Sequence, residues 1–129
     1  MRVILDTHTF LWFIEGNPKL SGTARNIIET TENDRLLSIA SLWEITIKVS
    51  LGKLKVPLPF TKLIGEHVHG NAISLLHIAP EHLDILRALP FHHRDPFDRL
   101  LIAQSLSENI PLISYDETFD VYGAQRYWK

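Results

Sequence analysis

Short apolar runs that end at an acid or a turn recur along this chain, and they narrow its fold more than any other feature. Val3-Ile4-Leu5 ends at Asp6, and Pro111-Leu112-Ile113-Ser114-Tyr115 ends at Asp116. Arg35-Leu36-Leu37-Ser38-Ile39 and Ile73-Ser74-Leu75-Leu76 lie between them. Runs of this kind suit strands buried on both faces, as in a parallel sheet. Thr7-His8-Thr9 is expected to turn the chain, and Phe10 to Ile14 reads as a helix stopped by Gly16-Asn17-Pro18. Ser21 is placed to cap a second helix through Ala24, Ile27 and Ile28. A third runs from Ala40 to Leu51 and closes at Gly52. Pro57 and Pro59 mark a loop, and Phe60 to His69 predicts a fourth helix, ended by Gly70-Asn71. Pro80 opens a short helix through Leu83, Leu86 and Leu89, and a last strand is expected near Arg126-Tyr127-Trp128. Strands alternating with helices over 129 residues predict one α/β domain, residues 1–129, with a mostly parallel sheet.

The stretch His92 to Gln104, HHRDPFDRLLIAQ, predicts the longest helix and the first chemistry. Asp95 before Pro96 is a helix start, because the carboxylate caps free backbone N–H groups and Pro suits the first helical position. Asp98 follows three residues later, on the same face of the first turn. Leu100, Leu101 and Ala103 then continue toward the core, with the helix reaching about Glu108.

Composition excludes several classes. There is no cysteine, which removes a disulfide framework, a thiolate zinc site and a cysteine nucleophile. The first apolar run is far too short for a signal peptide or a membrane span, so the expectation is a cytoplasmic chain with no membrane partner. A net charge of -2 supplies no global positive field for nucleic acid, so a polyanion would need a local basic patch or metal ions. The seven histidines invite a zinc site. His92-His93 are adjacent and diverge, His67 and His69 have poor spacing for one helical face, and no H-E-x-x-H pattern is present. A loop or surface role is the expectation for them.

The acids matter as a set. Asp6 and Asp116 fall at strand ends, where open α/β sheets bind ligands, and converge if the first and fourth strands are neighbours. Each acid has a plain structural reading. Asp6 and Asp116 can cap the segments after their strands, Glu44 can pair with Lys48 one helical turn on, and Asp95 and Asp98 suit a helix N-terminus. Gathered carboxylates repel and raise one another's pKa, however, and a bound hard cation is the simplest reason for a fold to keep them together. Basic residues near them are Lys48, Lys53, Lys55, Arg94 and Arg99, suited to phosphate contacts. Thr7 and Ser114 flank the strand-end acids, and surface turn positions are the plainer reading for both.

Four stretches carry a resemblance: ILDTHTFLWFI at Ile4–Ile14, SIASLWEITIKVSLGKL at Ser38–Leu54, HHRDPFDRLLIAQSL at His92–Leu106 and PLISYDETFDVYG at Pro111–Gly123. Together they resemble the PIN-domain ribonucleases, and within them the VapC-type toxins of bacterial and archaeal toxin–antitoxin pairs. The resemblance implies a three-layer α/β/α fold around a five-stranded mostly parallel sheet, with the first and fourth strands adjacent at its centre. It maps the family's acids onto Asp6, Glu44, Asp98 and Asp116, with Asp95 as an additional candidate. It implies one or two Mg²⁺ or Mn²⁺ ions held by Asp6, Asp98 and Asp116, with Glu44 orienting a water. The implied reaction is hydrolysis of RNA phosphodiester bonds, leaving a 5′-phosphate and a 3′-hydroxyl. Substrate contacts would come from Thr7, Arg94, Arg99 and Lys48. The implied partners are RNA, a cognate antitoxin that blocks the acidic site, and a second copy of the chain in a homodimer or larger assembly. The apolar run Phe10-Leu11-Trp12-Phe13 would be partly core and partly covered by a partner.

Two other readings compete. A receiver-like phospho-acceptor domain also gathers acids around Mg²⁺, but it needs an acidic pair after the first strand and a late lysine. Here Asp6 is followed by Thr7-His8, Leu76-His77 ends the middle strand, and no lysine follows the Ser114 strand at the expected place. A catalytically inactive PIN-like binding module is the second, and the presence of all four acids counts against it.

Overall fold

The computed structural model describes residues 1–56 and 59–129. The turn expected at Pro57 lies outside the described residues. Five strands form one sheet: β1 (Arg2–Leu5), β2 (Asp34–Ser38), β3 (Ser74–Leu76), β4 (Leu112–Ile113) and β5 (Arg126–Tyr127). Their order is β3-β2-β1-β4-β5. Every pairing is parallel, with Leu5 opposite Leu37 on one side and Ile113 on the other. β1 is therefore central, and β4 is its neighbour as expected. The chain builds outward through β2 and β3, then crosses to the other side of β1 for β4 and β5. The crevice beyond the carboxyl ends of β1 and β4 is the switch point of this topology.

The apolar runs are continuous because both faces of the sheet are covered. Val3, Leu5, Leu37 and Ile113 point into one core, with Phe10, Leu11, Ala24, Ile28, Leu42 and Ile45. Ile4, Leu36 and Leu112 point into the other, with Leu89, Leu101, Ile102, Ala103 and Phe119. The strict alternation of faces along each strand follows from the pleat. The first core is roofed by α1 (Thr7–Glu15), α2 (Gly22–Glu29) and α3 (Ile39–Ser50). Between β2 and β3, α4 (Phe60–Leu63) follows Pro59 and runs on through a π turn, Ile64–Val68, and a 3₁₀ turn, His69–Asn71. The second core is roofed by α5 (Pro80–Ala88) and α6 (Pro96–Glu108). This is the expected three-layer α/β/α arrangement.

Local differences have local causes. Thr7-His8-Thr9 is not a turn before α1 but its first helical turn, because Asp6 caps it by accepting from the Thr7 amide. β4 is shorter than the apolar run around it. Asp116 caps a short 3₁₀ helix, Glu117–Tyr122, where the sequence alone suggests only a turn. Asn109 and Ala72 end their segments in the left-handed region, where Asn is tolerated and Ala is uncommon.

Side-chain hydrogen bonds fasten helices to the sheet where the site will form. The Thr9 hydroxyl of α1 donates to the Ile113 carbonyl at 2.8 Å. The Ser38 hydroxyl at the end of β2 donates to Gln104 Oε1 of α6 at 2.6 Å, and both residues are fully buried. These bonds tie α1 and α6 to the strand ends on either side of the crevice. Leu101 of α6 is fully buried, whereas Leu83 of α5 is about half exposed. Leu101→Ala should lower the unfolding free energy by about 2–5 kcal/mol, whereas Leu83→Ala should stay within about 0.5 kcal/mol of the parent, read by urea unfolding. Similar losses from both changes would contradict the placement of α6 in the core.

Candidate active site

The crevice is lined by carboxylates, each held by a different device. Asp6 leaves the end of β1 and is buried. Its Oδ1 accepts from the Thr7 amide at 2.7 Å, and its Oδ2 accepts from the Ser114 hydroxyl at 2.8 Å. Ser114 is fully buried just beyond β4, so one hydrogen bond spans the two strands that flank the switch point. Burial pushes the Asp6 carboxyl above its ordinary value, partly opposed by the Ser114 hydroxyl.

Glu44 projects from the middle of α3 and is also buried. Its Oε1 accepts from the Thr7 hydroxyl at 2.8 Å, and its Oε2 accepts from Lys48 at 2.7 Å. A hydroxyl has a single proton to give, so Thr7 donates to Glu44 and accepts from the Ser41 hydroxyl 2.9 Å away. The plain reading of Glu44 as a one-turn pair with Lys48 is therefore realised, but inside the pocket. Hydrogen bonding to Glu44 holds the Lys48 ammonium above its ordinary value. Thr7 and Ser114 are not surface turn residues, because each is buried and each hydroxyl steadies a carboxylate.

Asp95 and Asp98 meet the others from the mouth of α6. Asp95 Oδ1 accepts from the amides of Phe97 and Asp98 at 2.8 and 3.0 Å, so it works as the helix cap. Asp98 lies one turn in and faces the crevice. Its carboxyl is pushed up to about 8 by burial and then by the charges of Asp6, Asp95, Glu44 and Asp116. Asp116, beyond β4, is held below the ordinary carboxylate range. Burial raises it, but the Thr118 amide and hydroxyl and His93 outweigh burial.

His93 is the residue that sequence reasoning missed. Its Nε2 lies 3.1 Å from Asp98 Oδ2 and 3.2 Å from Asp116 Oδ2. His93, Asp98 and Asp116 form a group whose ligating atoms all lie within 4.8 Å of one another. His93 lies in a loop, as expected for the histidines, but it is turned in toward the acids rather than out to the surface. The only sequence signal was its place two residues before the capping Asp95.

The basic residues divide. Arg94 is exposed, between His93 and Asp95 in the chain. Arg99 is buried, and its guanidinium donates to the carbonyls of Leu89 and Pro90 at 3.2 and 2.8 Å, with the Phe91 ring against it. That placement corrects the expected phosphate contact, because its donors are spent on the loop before α6. Thr7 is likewise committed to Glu44. Lys48 is part exposed and, with the exposed Lys53, lines a cleft of about 240 Å³ that also includes Thr7, His8 and Trp12. Trp12 packs against His8, Tyr115 and Trp128, with centroids 5.3–6.0 Å away. Of the apolar run on α1, Phe10 and Leu11 are core, while Trp12 and Phe13 are only partly buried.

The donor set fits a hard divalent cation. Asp98 and Asp116 lie close enough to share an ion, Asp6 is near enough for its charge to raise Asp98, Asp95 and Glu44 add negative charge, and among the described residues Lys48 is the one lysine or arginine paired with any of them. A carboxyl raised in the folded state favours folding most when protonated. Its contribution is full below its ordinary value of 3.8 and is lost as pH rises toward 8. Asp6 acts in the same direction, whereas Asp116, shifted down, acts only at lower pH. The metal-free protein should therefore melt at a lower temperature near pH 8 than near pH 5, and Asp98→Asn should flatten that fall. A flat profile in the parent, read by calorimetry, would show that the carboxylates do not strain the fold.

Comparison with known proteins agrees with this layout. A family profile described as PIN domain matches residues 3–125. No curated protein sequence matches the chain. Among solved structures it is similar to VapBC2 from Rickettsia felis bound to a DNA fragment from their promoter, with 15% identity, TM-score 0.76 and all of both chains covered. It is also similar to FitAcB from Neisseria gonorrhoeae, with 13% identity, TM-score 0.64, and 97% of this chain and 96% of that one covered. FitAB bound to an IR36 DNA fragment gives 13% identity, TM-score 0.65, and coverage of 97% and 93%. At these identities the structures speak for the fold, and the family profile spans nearly the whole sequence: the chain belongs to the PIN-domain family.

Proposed function

We propose that this chain is a metal-dependent endoribonuclease of the VapC type, the toxin of a toxin–antitoxin pair. The observation that carries the reading is the close placing of Asp98 and Asp116 beyond the β1–β4 switch point, with Asp6 and Glu44 near enough for their charges, after burial, to help raise Asp98 to about 8. PIN domains are in general nucleases that use divalent metals, and this pocket has the donors for one. The receiver-like alternative is set aside by membership of the PIN family.

Asp6, Asp98 and Asp116 are the residues that would hold one or two Mg²⁺ or Mn²⁺ ions, with Asp95 an additional candidate. When bound, such an ion supplies a water ionised near neutral pH and offsets charge on the phosphate. The protein's own part is placement. Ser114 and the Thr7 amide fix both oxygens of Asp6, so its carboxylate cannot turn away from the crevice. Thr7 and Lys48 fix Glu44 beside the crevice, where it can accept a hydrogen bond from an attacking water and orient it. Preorganised groups of this kind need not rearrange during reaction.

RNA is the substrate we propose, and the neighbouring cleft, which pairs lysines with aromatic faces, suits a single strand. Lys48 and Lys53 suit phosphates, and Trp12 and His8 suit unstacked bases of a single strand. A cognate antitoxin and a homodimer complete the reading. VapBC2 and FitAB, which share the fold, are each bound to a DNA fragment, in the first case from their promoter, and a basic antitoxin side chain entering the acidic pocket of this chain would be favoured by charge.

The purified chain should cut single-stranded RNA only with Mg²⁺ or Mn²⁺. Asp98→Asn should reduce the rate by about 10²–10³-fold while the far-UV circular dichroism stays the same. A wild type inert on varied RNAs with either metal would favour the inactive binding module instead. In the same samples, metal at a hundredfold excess over Kd should stabilise the fold by about 2.7 kcal/mol, and Asp6→Asn should blunt the rise in melting temperature. An equal rise in both proteins would remove Asp6 from the ligand set.

A further inference from the structure

His93 sits against two of the proposed metal ligands, and at first sight it is a third. The hydrogen bond on the other side of the ring says otherwise. The Asp95 backbone amide donates to His93 Nδ1 at 3.2 Å. A backbone amide can only donate, so Nδ1 must be the bare nitrogen of the neutral ring, and the proton is on Nε2. A protonated nitrogen has no lone pair for a metal. Nε2 is the atom that faces Asp98 and Asp116, at 3.1 and 3.2 Å.

We propose that His93 is a positioning residue whose Nε2–H, fixed by the Asp95 amide, is given to Asp116 while the same nitrogen lies against Asp98, so that the ring sets the spacing of the two carboxylates without ligating the cation. This rests on the reading of the pocket as a metal site, and it adds a donor that the acids alone do not supply. Asp98 comes from α6 and Asp116 from the segment after β4, which a long bond from Arg99 to the Tyr122 hydroxyl, 3.4 Å, also joins on the far side of the loop. The His93 ring bonds to Asp116 and lies 3.1 Å from Asp98, so it stands between the two carboxylates.

The rest of the loop is built to present this ring. The His93 amide donates to the Tyr122 hydroxyl at 2.7 Å, and that hydroxyl donates to the Pro90 carbonyl at 2.8 Å. Arg99 gathers the carbonyls of Leu89 and Pro90 from the other side, with that of His93 at 3.4 Å. The ring itself lies against Phe119, centroids 6.0 Å apart. Arg99 therefore serves the site at one remove, by holding the loop that holds His93.

Three measurements on the full chain test the assignment. Nitrogen-15 spectra of the histidine rings in the metal-free protein, at a pH where the ring is neutral, should show His93 with Nε2 protonated and Nδ1 bare. The opposite tautomer would overturn the proposal. Mn²⁺ titration followed by electron paramagnetic resonance compares two variants. His93→Gln places an amide donor near the Nε2 position, and His93→Asn keeps an acceptor near Nδ1 but loses the donor. His93→Asn should weaken Mn²⁺ binding by about 10–100-fold and His93→Gln by no more than about threefold. A residue that merely supports the loop would give the reverse order, and that result would count against the idea. Pulsed resonance of the Mn²⁺ complex should show no directly bound ring nitrogen. A nitrogen coupling present in the parent and lost in His93→Gln would make His93 a ligand and end the proposal. If the parent binds no Mn²⁺ at all, the metal reading of the pocket fails, while the tautomer still reports on the His93 geometry.

Discussion

Like charges gathered in a poorly solvated pocket are the constraint to which the rest of this molecule answers. Asp98 carries the signature, raised to about 8 by its own burial and by the acids around it. Two unit charges 4 Å apart interact by ~4 kcal/mol at an effective dielectric of about 20, so several such pairs weigh heavily against a typical folding free energy of about 5–15 kcal/mol. The fold answers mainly with neutral donors. Backbone amides hold Asp6, Asp95 and Asp116, and hydroxyls of Thr7 and Ser114 reach Glu44 and Asp6. These bonds fix direction without cancelling charge. The pocket is left ordered and still negative, the state in which a divalent cation gains most on entry.

The topology makes that gathering achievable in a short chain. Two adjacent parallel strands deliver Asp6 and Ser114 side by side, and parallel register forces their exits to the same edge. α3 brings Glu44 over one lip, where the Thr7 hydroxyl holds it, and α6 brings Asp98 over the other, fastened to the end of β2 through Ser38 and Gln104. The acids come from four separate segments of sequence, so the pocket exists only in the folded chain. Cores on both faces hold those segments in place, and loss of core packing should be felt at the site.

Much of this was legible in the residues. Continuous apolar runs announced a sheet covered on both faces, and Asp6 and Asp116 at strand ends announced where ligands would sit. Asp95-Pro96 marked the start of α6 at the right residue. What escaped was whatever depended on the path of the loop from Leu89 to Arg94. His93 had no informative spacing, because its partners Asp98 and Asp116 are set by that loop's conformation rather than by helical periodicity. Arg99 read as a phosphate contact at the site because it follows Asp98 in sequence. On a helix, however, adjacent side chains diverge by roughly 100°, so when Asp98 faces the crevice Arg99 is carried to the loop side. Thr7 was misjudged for a related reason: read as part of a turn it would be exposed, but as the first residue of a capped helix it points inward to Glu44.

The central claim is that these side chains from distant parts of the sequence make one seat for a hard cation. Anomalous diffraction from crystals grown or soaked with Mn²⁺ addresses it most directly. The expected result is an anomalous peak among the carboxylates of Asp6, Asp98 and Asp116 that disappears in Asp98→Asn crystals of the same form. Crystals in which that pocket stays empty at saturating Mn²⁺, or in which the ion settles on another face of the molecule, would contradict it.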